Sequence, residues 1–435
     1  MLFTIPTIEA IRRALAKRED SGTPITVQVD CDPLDLLRAG AGSVGTAVYF
    51  SSPEGGVFGG LGVSRRLSGS GPGRLGTLDR TLQGMPAGAP CAVGFSFADE
   101  GPASVEWGAF APATVVLPEV AVRAVGGETR LTITPRHGSD GGHLVDLLAA
   151  LEPPPGVGTI VDTLLGVEAR PSPTDWRGLV GDARAAIASG AFVKVVLART
   201  VVVRSARTIP VFDVVASLQA QYPSCRVFGW QEGATAFVGA SPELLVERRG
   251  RRVRVEPLAG TARRGADPVD DGRIGVELLA SVKDRMEHAL VVDDVVERLT
   301  PLVSEIIAPD GPVLHQFATV QHLATPISAT SDARLLELAA VLHPTPAVGG
   351  VPRRAATEFI AKVEGIDRGW YAGGIGWADA GGDGELALGL RSALIDGDRA
   401  ILFAGNGIVA ASEPEAELEE TRLKLRPMLD LLTGV

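Results

Sequence analysis

The stretch 385–409, ELALGLRSALIDGDRAILFAGNGIV, reads as a β-hairpin. Two apolar runs, Glu385 to Ile395 and Ala400 to Val409, flank Asp396-Gly397-Asp398, the composition of a tight turn between antiparallel strands. In the first run Leu386, Leu388 and Leu390 alternate with Ala387, Gly389, Arg391 and Ala393, as a strand's period of two requires. Small residues beside Arg391 leave room for a ligand above the sheet, and a guanidinium holds a carboxylate through two parallel hydrogen bonds. An exposed face on an edge strand explains the same pattern. A helix is predicted to follow, from near Ser412 to Leu432.

Working outward, the chain continues in the same idiom. A helix at Trp176 to Ser189 leads into a strand at Phe192 to Arg199. The arms Ala236 to Val246 and Arg252 to Val255 form a hairpin with its tip at Arg249-Gly250. A long amphipathic helix is predicted over Gly275 to Leu299 and a shorter one over Ala355 to Glu364. Strands in runs, with helices not strictly alternating, predict an α+β fold with mostly antiparallel sheets. The first 150 residues are weakly patterned. Met1 to Asp20 reads as a short amphipathic helix, and β-like runs at Thr46 to Phe50 and Cys91 to Phe97 lie between Gly- and Ser-rich turns. Those turns lack the Lys-Ser/Thr ending of a phosphate cradle. A helix at His143 to Leu151 ends at Pro153-Pro154-Pro155. The expected division is therefore 1–155 and 156–435, as parts of one structural unit.

Composition narrows the function classes. The 435 residues are 45% hydrophobic and 21% charged, ample for a large core, and the net charge is −11. An acidic chain is a poor match for nucleic acid or an anionic membrane. The three cysteines, Cys31, Cys91 and Cys225, form no CxxC pair, so the expectation is a reduced, cytoplasmic protein without disulfide or zinc framework. No apolar run is long enough to span a bilayer.

Several side chains sit where a packed fold would not want them. Lys194 interrupts the apolar run 192–198. Burial costs a lysine free energy and lowers its pKa, which makes a base; an edge-strand lysine reaching solvent is the alternative. Glu243 interrupts 239–245 beside Pro242, and is either a carboxyl with a raised pKa that can act as an acid or a solvent-facing residue. Asp284, Glu287 and His288 share one helix face. Glu413, Glu417, Glu420 and Lys424 share another. Two acidic faces suit an oxygen-ligated cation such as Mg²⁺ better than zinc, although each alone fits a solvated surface. Gly405-Asn406-Gly407-Ile408-Val409-Ala410 fits a dinucleotide fingerprint, but no βαβ unit follows. Its glycines instead offer backbone N–H groups to an anion, as does Gly260-Thr261. His322 and His343 are candidate hydrogen-bonding residues.

Taken in order, eight segments resemble the chorismate-utilising enzymes: 192–199, 239–245, 257–263, 281–288, 321–326, 343–350, 368–377 and 404–424. The resemblance covers roughly 170–430. His343-Pro344-Thr345-Pro346-Ala347-Val348-Gly349-Gly350 and Arg368-Gly369-Trp370-Tyr371-Ala372-Gly373 are most similar to the isochorismate synthases. The resemblance implies two large, mostly antiparallel sheets packed together with helices outside. It implies Mg²⁺-dependent, reversible isomerisation of chorismate to isochorismate, serving menaquinone or siderophore synthesis. Lys194 would activate the water that attacks ring carbon C2, and Glu243 would protonate the departing C4 hydroxyl. Glu287 and Glu420, with Glu417 and Asp284 nearby, would hold the metal. Arg391, Tyr371 and the amides of Gly405 and Gly407 would grip the enolpyruvyl carboxylate. Gly260, Thr261, His322, Ala347 and Lys424 would complete the substrate pocket. A lysine at 194 resembles the water-adding branch, so no glutaminase partner is expected. Ala347 stands where pyruvate-eliminating relatives often carry threonine, which sets isochorismate formation against the alternative, salicylate synthesis. Asn406 and Gly374 depart from the family's usual alanine and proline.

Overall fold

The computed structural model describes residues 1–18, 23–161, 163–318 and 320–434. Among them, two large sheets of twelve and nine strands face each other, with a three-stranded sheet to one side. Both large sheets draw on the whole length of the chain. Thr46–Ser51 pairs with Arg226–Glu232 in one, and Cys91–Phe95 pairs with Gly374–Ala378 in the other. The first helix covers Ile5–Ala16; Glu19 and Asp20 lie outside the described residues.

Large apolar side chains fill the layer between the sheets, among them Phe50, Trp230, Phe237, Trp370, Trp377 and Leu386. Helices cover the outer faces. Leu37 and Leu218 come from Pro33–Gly40 and Val211–Gln221 on the larger sheet. A third cluster, with Trp176, Val195, Leu197, Ile360 and Leu418, packs Pro173–Ala188, Arg353–Val363 and Pro414–Thr433 around the strand Lys194–Ser205. This α+β architecture is the one that the strand runs predict.

Two of the predicted strands differ in a way that makes the site. The run 385–395 is not one strand. Gly384–Leu388 belongs to the nine-stranded sheet and Ser392–Asp396 to the twelve-stranded one. The chain turns the corner at Gly389-Leu390-Arg391, where the Leu390 N–H donates to the Leu388 carbonyl at 2.8 Å and Arg391 takes a left-handed φ of 46°. That conformation costs a residue with a side chain about 1–2 kcal/mol, so the surrounding packing must impose it. The arm 236–246 behaves alike: Thr235–Ser241 lies in the larger sheet, Leu244–Arg249 in the smaller, and the corner is Pro242-Glu243. Proline suits a corner because it has no N–H to leave unpaired. The corners are bonded to each other. Leu388 N–H donates to the Glu243 carbonyl at 3.1 Å, and Ala240 N–H to the Arg391 carbonyl at 3.2 Å.

The predicted helix 275–299 is also two. Pro268–Ala280 ends and Val282–Leu299 begins at Ser281, whose hydroxyl accepts the Asp284 N–H at 3.3 Å. A serine competing for backbone donors starts a helix more readily than it continues one.

Candidate active site

A cavity opens where the two strand pairs cross. Its walls are the corners at 242–243 and 390–391, the strands 194–205 and 399–408, the helices 282–299 and 414–433, and the segment 347–348. Every residue named above as base, acid, substrate contact or metal ligand lines it.

Lys194 is 1% exposed, and its Nζ lies 3.0 Å from Oε1 of Glu287. Its strand has partners on both sides, at 399–408 on one and at 350–351 and 164–170 on the other. That excludes the solvent-reaching alternative. Burial raises the pKa of Glu287, but Lys194, with Lys424 and Lys283, outweighs it and holds the carboxyl below its ordinary value. Glu243 differs. Burial pushes its carboxyl up to about 8 despite the opposing charges of Lys194 and Lys424. At neutral pH it therefore carries a proton that it can donate.

Arg391 is buried in the corner. Its Nη2 lies 3.1 Å from His322 Nε2, and its Nη1 has no hydrogen-bond partner among the described residues. Burial lowers its pKa, with Cys225 and Tyr222 the groups that oppose this. No carboxylate pairs with Arg391 among the described residues. His322 Nδ1 lies 3.1 Å from Thr261 Oγ1 and 3.3 Å from the Gly260 carbonyl. The guanidinium only donates, so Nε2 accepts and Nδ1 carries the proton. Burial, then Arg391 and Lys424, push the His322 pKa well below its ordinary value, which keeps the ring neutral.

Gly405 and Gly407 lie on the strand Arg399–Ile408, opposite Ala198 and Val196. The Val196 and Ala198 N–H groups point away from that strand, to the Gly349 carbonyl at 2.8 Å and Glu364 Oε1 at 2.5 Å. By the antiparallel alternation, Gly405 and Gly407 also turn their polar groups outward, over an edge that Ser392–Asp396 leaves open past Phe403. Lys424 Nζ takes the Gly405 carbonyl at 3.0 Å. Glycine is needed here for space: a Cβ on residue 405 would lie 2.9 Å from the Tyr371 hydroxyl, and one on residue 407 would lie 2.8 Å from Lys194 Cε and run into Glu287. Tyr371 itself stacks on Phe403 at 5.1 Å.

The four carboxylates gather from their two helices, each with a cationic or polar neighbour. Glu420 pairs with Lys424 at 2.8 Å. Glu417 accepts from Asn406 at 3.2 Å and lies 3.7 Å from Lys283, and Asp284 is bonded to Ser281. Among the described residues no three of them converge as a ready-made ligand set. The donor chemistry nevertheless fits Mg²⁺. Burial, then the charge of Glu420, raises the pKa of Glu417; burial, then Glu287 and Glu420, raises that of Asp284. Oxygen donors that repel one another in a partly buried site suit a small divalent ion.

His343 lies outside this cavity. Its Nε2 bonds the Ala372 carbonyl at 2.9 Å, and burial pushes its pKa down to about 3. The cavity also contains residues to which the sequence assigned no role. Lys283 and Arg368 line it, as do the apolar Pro242, Leu258, Leu390 and Phe403. Lys283 directly precedes Asp284, and Leu390 directly precedes Arg391, so their neighbours were the available signal.

A family model described as "Chorismate binding enzyme" matches residues 9–433. A salicylate biosynthesis isochorismate synthase of Pseudomonas aeruginosa is 37% identical over 452 residues, covering 97% of this chain and 93% of that protein. The isochorismate synthase MenF of Bacillus subtilis is 42% identical over 262 residues, covering 60% of this chain and 56% of that protein. The solved structure of MenF, the menaquinone-specific isochorismate synthase from Escherichia coli, superposes with a TM-score of 0.87 at 27% identity, over 98% of this chain and 99% of that one. Fold, cavity and relatives agree, and the chain belongs to the chorismate-binding enzyme family.

Proposed function

We propose that this protein is an isochorismate synthase, converting chorismate reversibly to isochorismate. The observation that carries the reading is the pairing of a buried base candidate with a protonated acid in one cavity, beside an arginine that lacks a carboxylate. Lys194 takes a proton from water, with the Glu287 carboxylate 3.0 Å away to balance the charge. The hydroxide bonds to ring carbon C2, and the ring double bonds shift as the C4–oxygen bond breaks. Glu243, protonated at neutral pH, gives its proton to the departing hydroxyl, which leaves as water. Arg391 meets the enolpyruvyl carboxylate through its unpartnered Nη1, and neutral His322 fixes the guanidinium's other end. The outward amides of Gly405 and Gly407, with Tyr371 beside them, complete that grip.

Glu287 and Glu420, with Glu417 and Asp284, would hold Mg²⁺, which supplies positive charge to a bound carboxylate. A glutaminase partner has no role in this scheme, because the nucleophile is water. The test is to incubate the protein with chorismate and Mg²⁺, separate the products by chromatography, and assay pyruvate with lactate dehydrogenase. Isochorismate without matching pyruvate supports the reading. Salicylate and pyruvate formed as fast as chorismate disappears would replace it with salicylate synthesis.

A further inference from the structure

One contact in the cavity wall belongs to none of these roles. The strand Lys194–Ser205 has an interrupted outer edge. Val351 and Gly350 pair with Lys194 and Val195, and Leu164–Arg170 pairs with residues from Thr200 onward. Past the Gly349 carbonyl, which takes the Val196 N–H, the Val196 carbonyl and the Ala198 N–H have no strand partner among the described residues. Side chains stand in for one. Glu364 Oε1 accepts the Ala198 N–H at 2.5 Å, and Arg368 Nη2 donates to the Val196 carbonyl at 2.7 Å. The two side chains pair with each other, Nε to Oε2 at 2.6 Å and Nη2 to Oε1 at 2.5 Å, and both are about 5% exposed or less.

The remaining arm of the fork, Arg368 Nη1, donates to the Val348 carbonyl at 2.8 Å. The Arg368 carbonyl accepts the Tyr371 N–H at 2.8 Å, and the guanidinium lies 4.3 Å over the Phe97 ring. Each end of this network thus stops near a residue of the site: Val196 is two positions from Lys194, Val348 adjoins Ala347, and the turn at Arg368 carries Tyr371.

The geometry points to Glu364 and Arg368 as a positioning pair that sets Lys194, Ala347 and Tyr371 relative to one another without touching the reacting atoms. An ordinary strand partner would join only the strand; a guanidinium joins the strand, the 343–349 segment and the 368–371 turn through one rigid plane. Arg368 is the member that lines the cavity, and Glu364 fixes its plane. This assignment deepens the isochorismate synthase reading and rests on it for the catalytic readout.

The test uses E364Q and R368K in the full chain. Glutamine keeps the size of Glu364 and an acceptor for Ala198 while removing the charge. Lysine keeps the charge of Arg368 but cannot span three carbonyl and carboxylate partners. A displacement of about 1 Å costs on the order of 10² in rate, so kcat is expected to fall by roughly 30-fold or more. KM, and the chorismate Kd from isothermal titration, are expected to rise less than kcat falls, because Arg391 and His322 are untouched while Tyr371 shifts. Hydrogen exchange over 194–200 is expected to quicken. E364Q/R368K is expected to be no slower than R368K alone, since Glu364 acts through Arg368.

Rates are referred to the fraction of protein that binds chorismate, so partial unfolding does not imitate the effect. Unchanged kcat in that fraction would overturn the assignment, as would additive losses in the double variant. Should the wild type bind chorismate yet form no isochorismate, the activity reading falls; unchanged exchange over 194–200 in E364Q would then still refute the clamp.

Discussion

Lys194 and Glu287 form an ion pair in which neither partner has free access to water: Nζ and Oε1 are 3.0 Å apart, with side chains 1% and 14% exposed. Breaking a buried pair by removing one member typically costs about 3–5 kcal/mol, because the other charge is stranded. Lys194→Met is therefore expected to lose two functions at once. Isochorismate formation should fall by about 10² to 10⁴, and the melting temperature should drop. Lys194→Met/Glu287→Gln should recover much of the stability and none of the activity. Calorimetry and product assays on the three proteins check this; a single variant as stable as the wild type would show that the pair is not coupled.

The Glu243 carboxyl, with a pKa of about 8 in the folded protein against an ordinary 4.5, gives a pH signature. A raised carboxyl pKa means that the folded state binds the proton more tightly. Its contribution to stability is complete below pH 4.5 and fades as pH rises through about 8. Glu243→Gln, which cannot ionise, should flatten that part of the stability–pH curve. The same substitution should slow turnover by about 10² to 10⁴ and remove the alkaline limb of the rate profile near pH 8. Stability and rate measured between pH 6 and pH 9 test both halves.

Arg391 is a buried cation with no carboxylate partner among the described residues, so it should weaken the free protein and serve only the complex. Arg391→Met should raise the melting temperature of the ligand-free protein while raising KM for chorismate at least about 30-fold, the loss of a charge-assisted pair worth about 2 kcal/mol or more. Arg391→Lys should also raise KM more than it lowers kcat, because an ammonium cannot reproduce the fork. An unchanged KM in both variants would remove Arg391 from the substrate contacts.

The raised carboxyl groups of Asp284 and Glu417 predict that Mg²⁺ competes with protons. Mg²⁺ affinity by isothermal titration should weaken as pH falls, and proton release should accompany binding. Glu420→Gln should shift the Mg²⁺ requirement upward, and EDTA should inactivate the wild type. Full turnover in metal-free buffer would assign the acidic cluster another purpose.

Gly407→Ala tests the close approach of strand and ion pair. A methyl at 407 would stand 2.8 Å from Lys194 Cε. Activity is expected to fall by about 10² with the circular dichroism spectrum unchanged.

The sequence carried the antiparallel architecture and the residues of the cavity, because buried charge and misplaced glycine are visible without coordinates. The sheet crossings were not legible. Alternation of two persists through both corners, since Leu386 and Leu388 obey one sheet while Ala393 and Ile395 obey the other. Only the left-handed Arg391 breaks the strand, and an arginine gives no local sign of that conformation. The helix break at Ser281 failed for a different reason: Ile274, Leu278, Val295 and Leu299 would share one face of an unbroken helix, so periodicity outweighed the cap. Arg368 was missed because two of its three partners are main-chain carbonyls, at Val348 and Val196, which no side-chain pattern records.

The paired corners have a mechanical consequence. Glu243 and Arg391 stand on neighbouring strands that change sheets side by side, tied by Leu388 to Glu243 and by Ala240 to Arg391. Both strands continue into the twelve-stranded sheet that also holds the strand of Lys194. Proton donor, carboxylate receptor and base are thus set like marks on one ruler, with their spacing ruled by a single sheet.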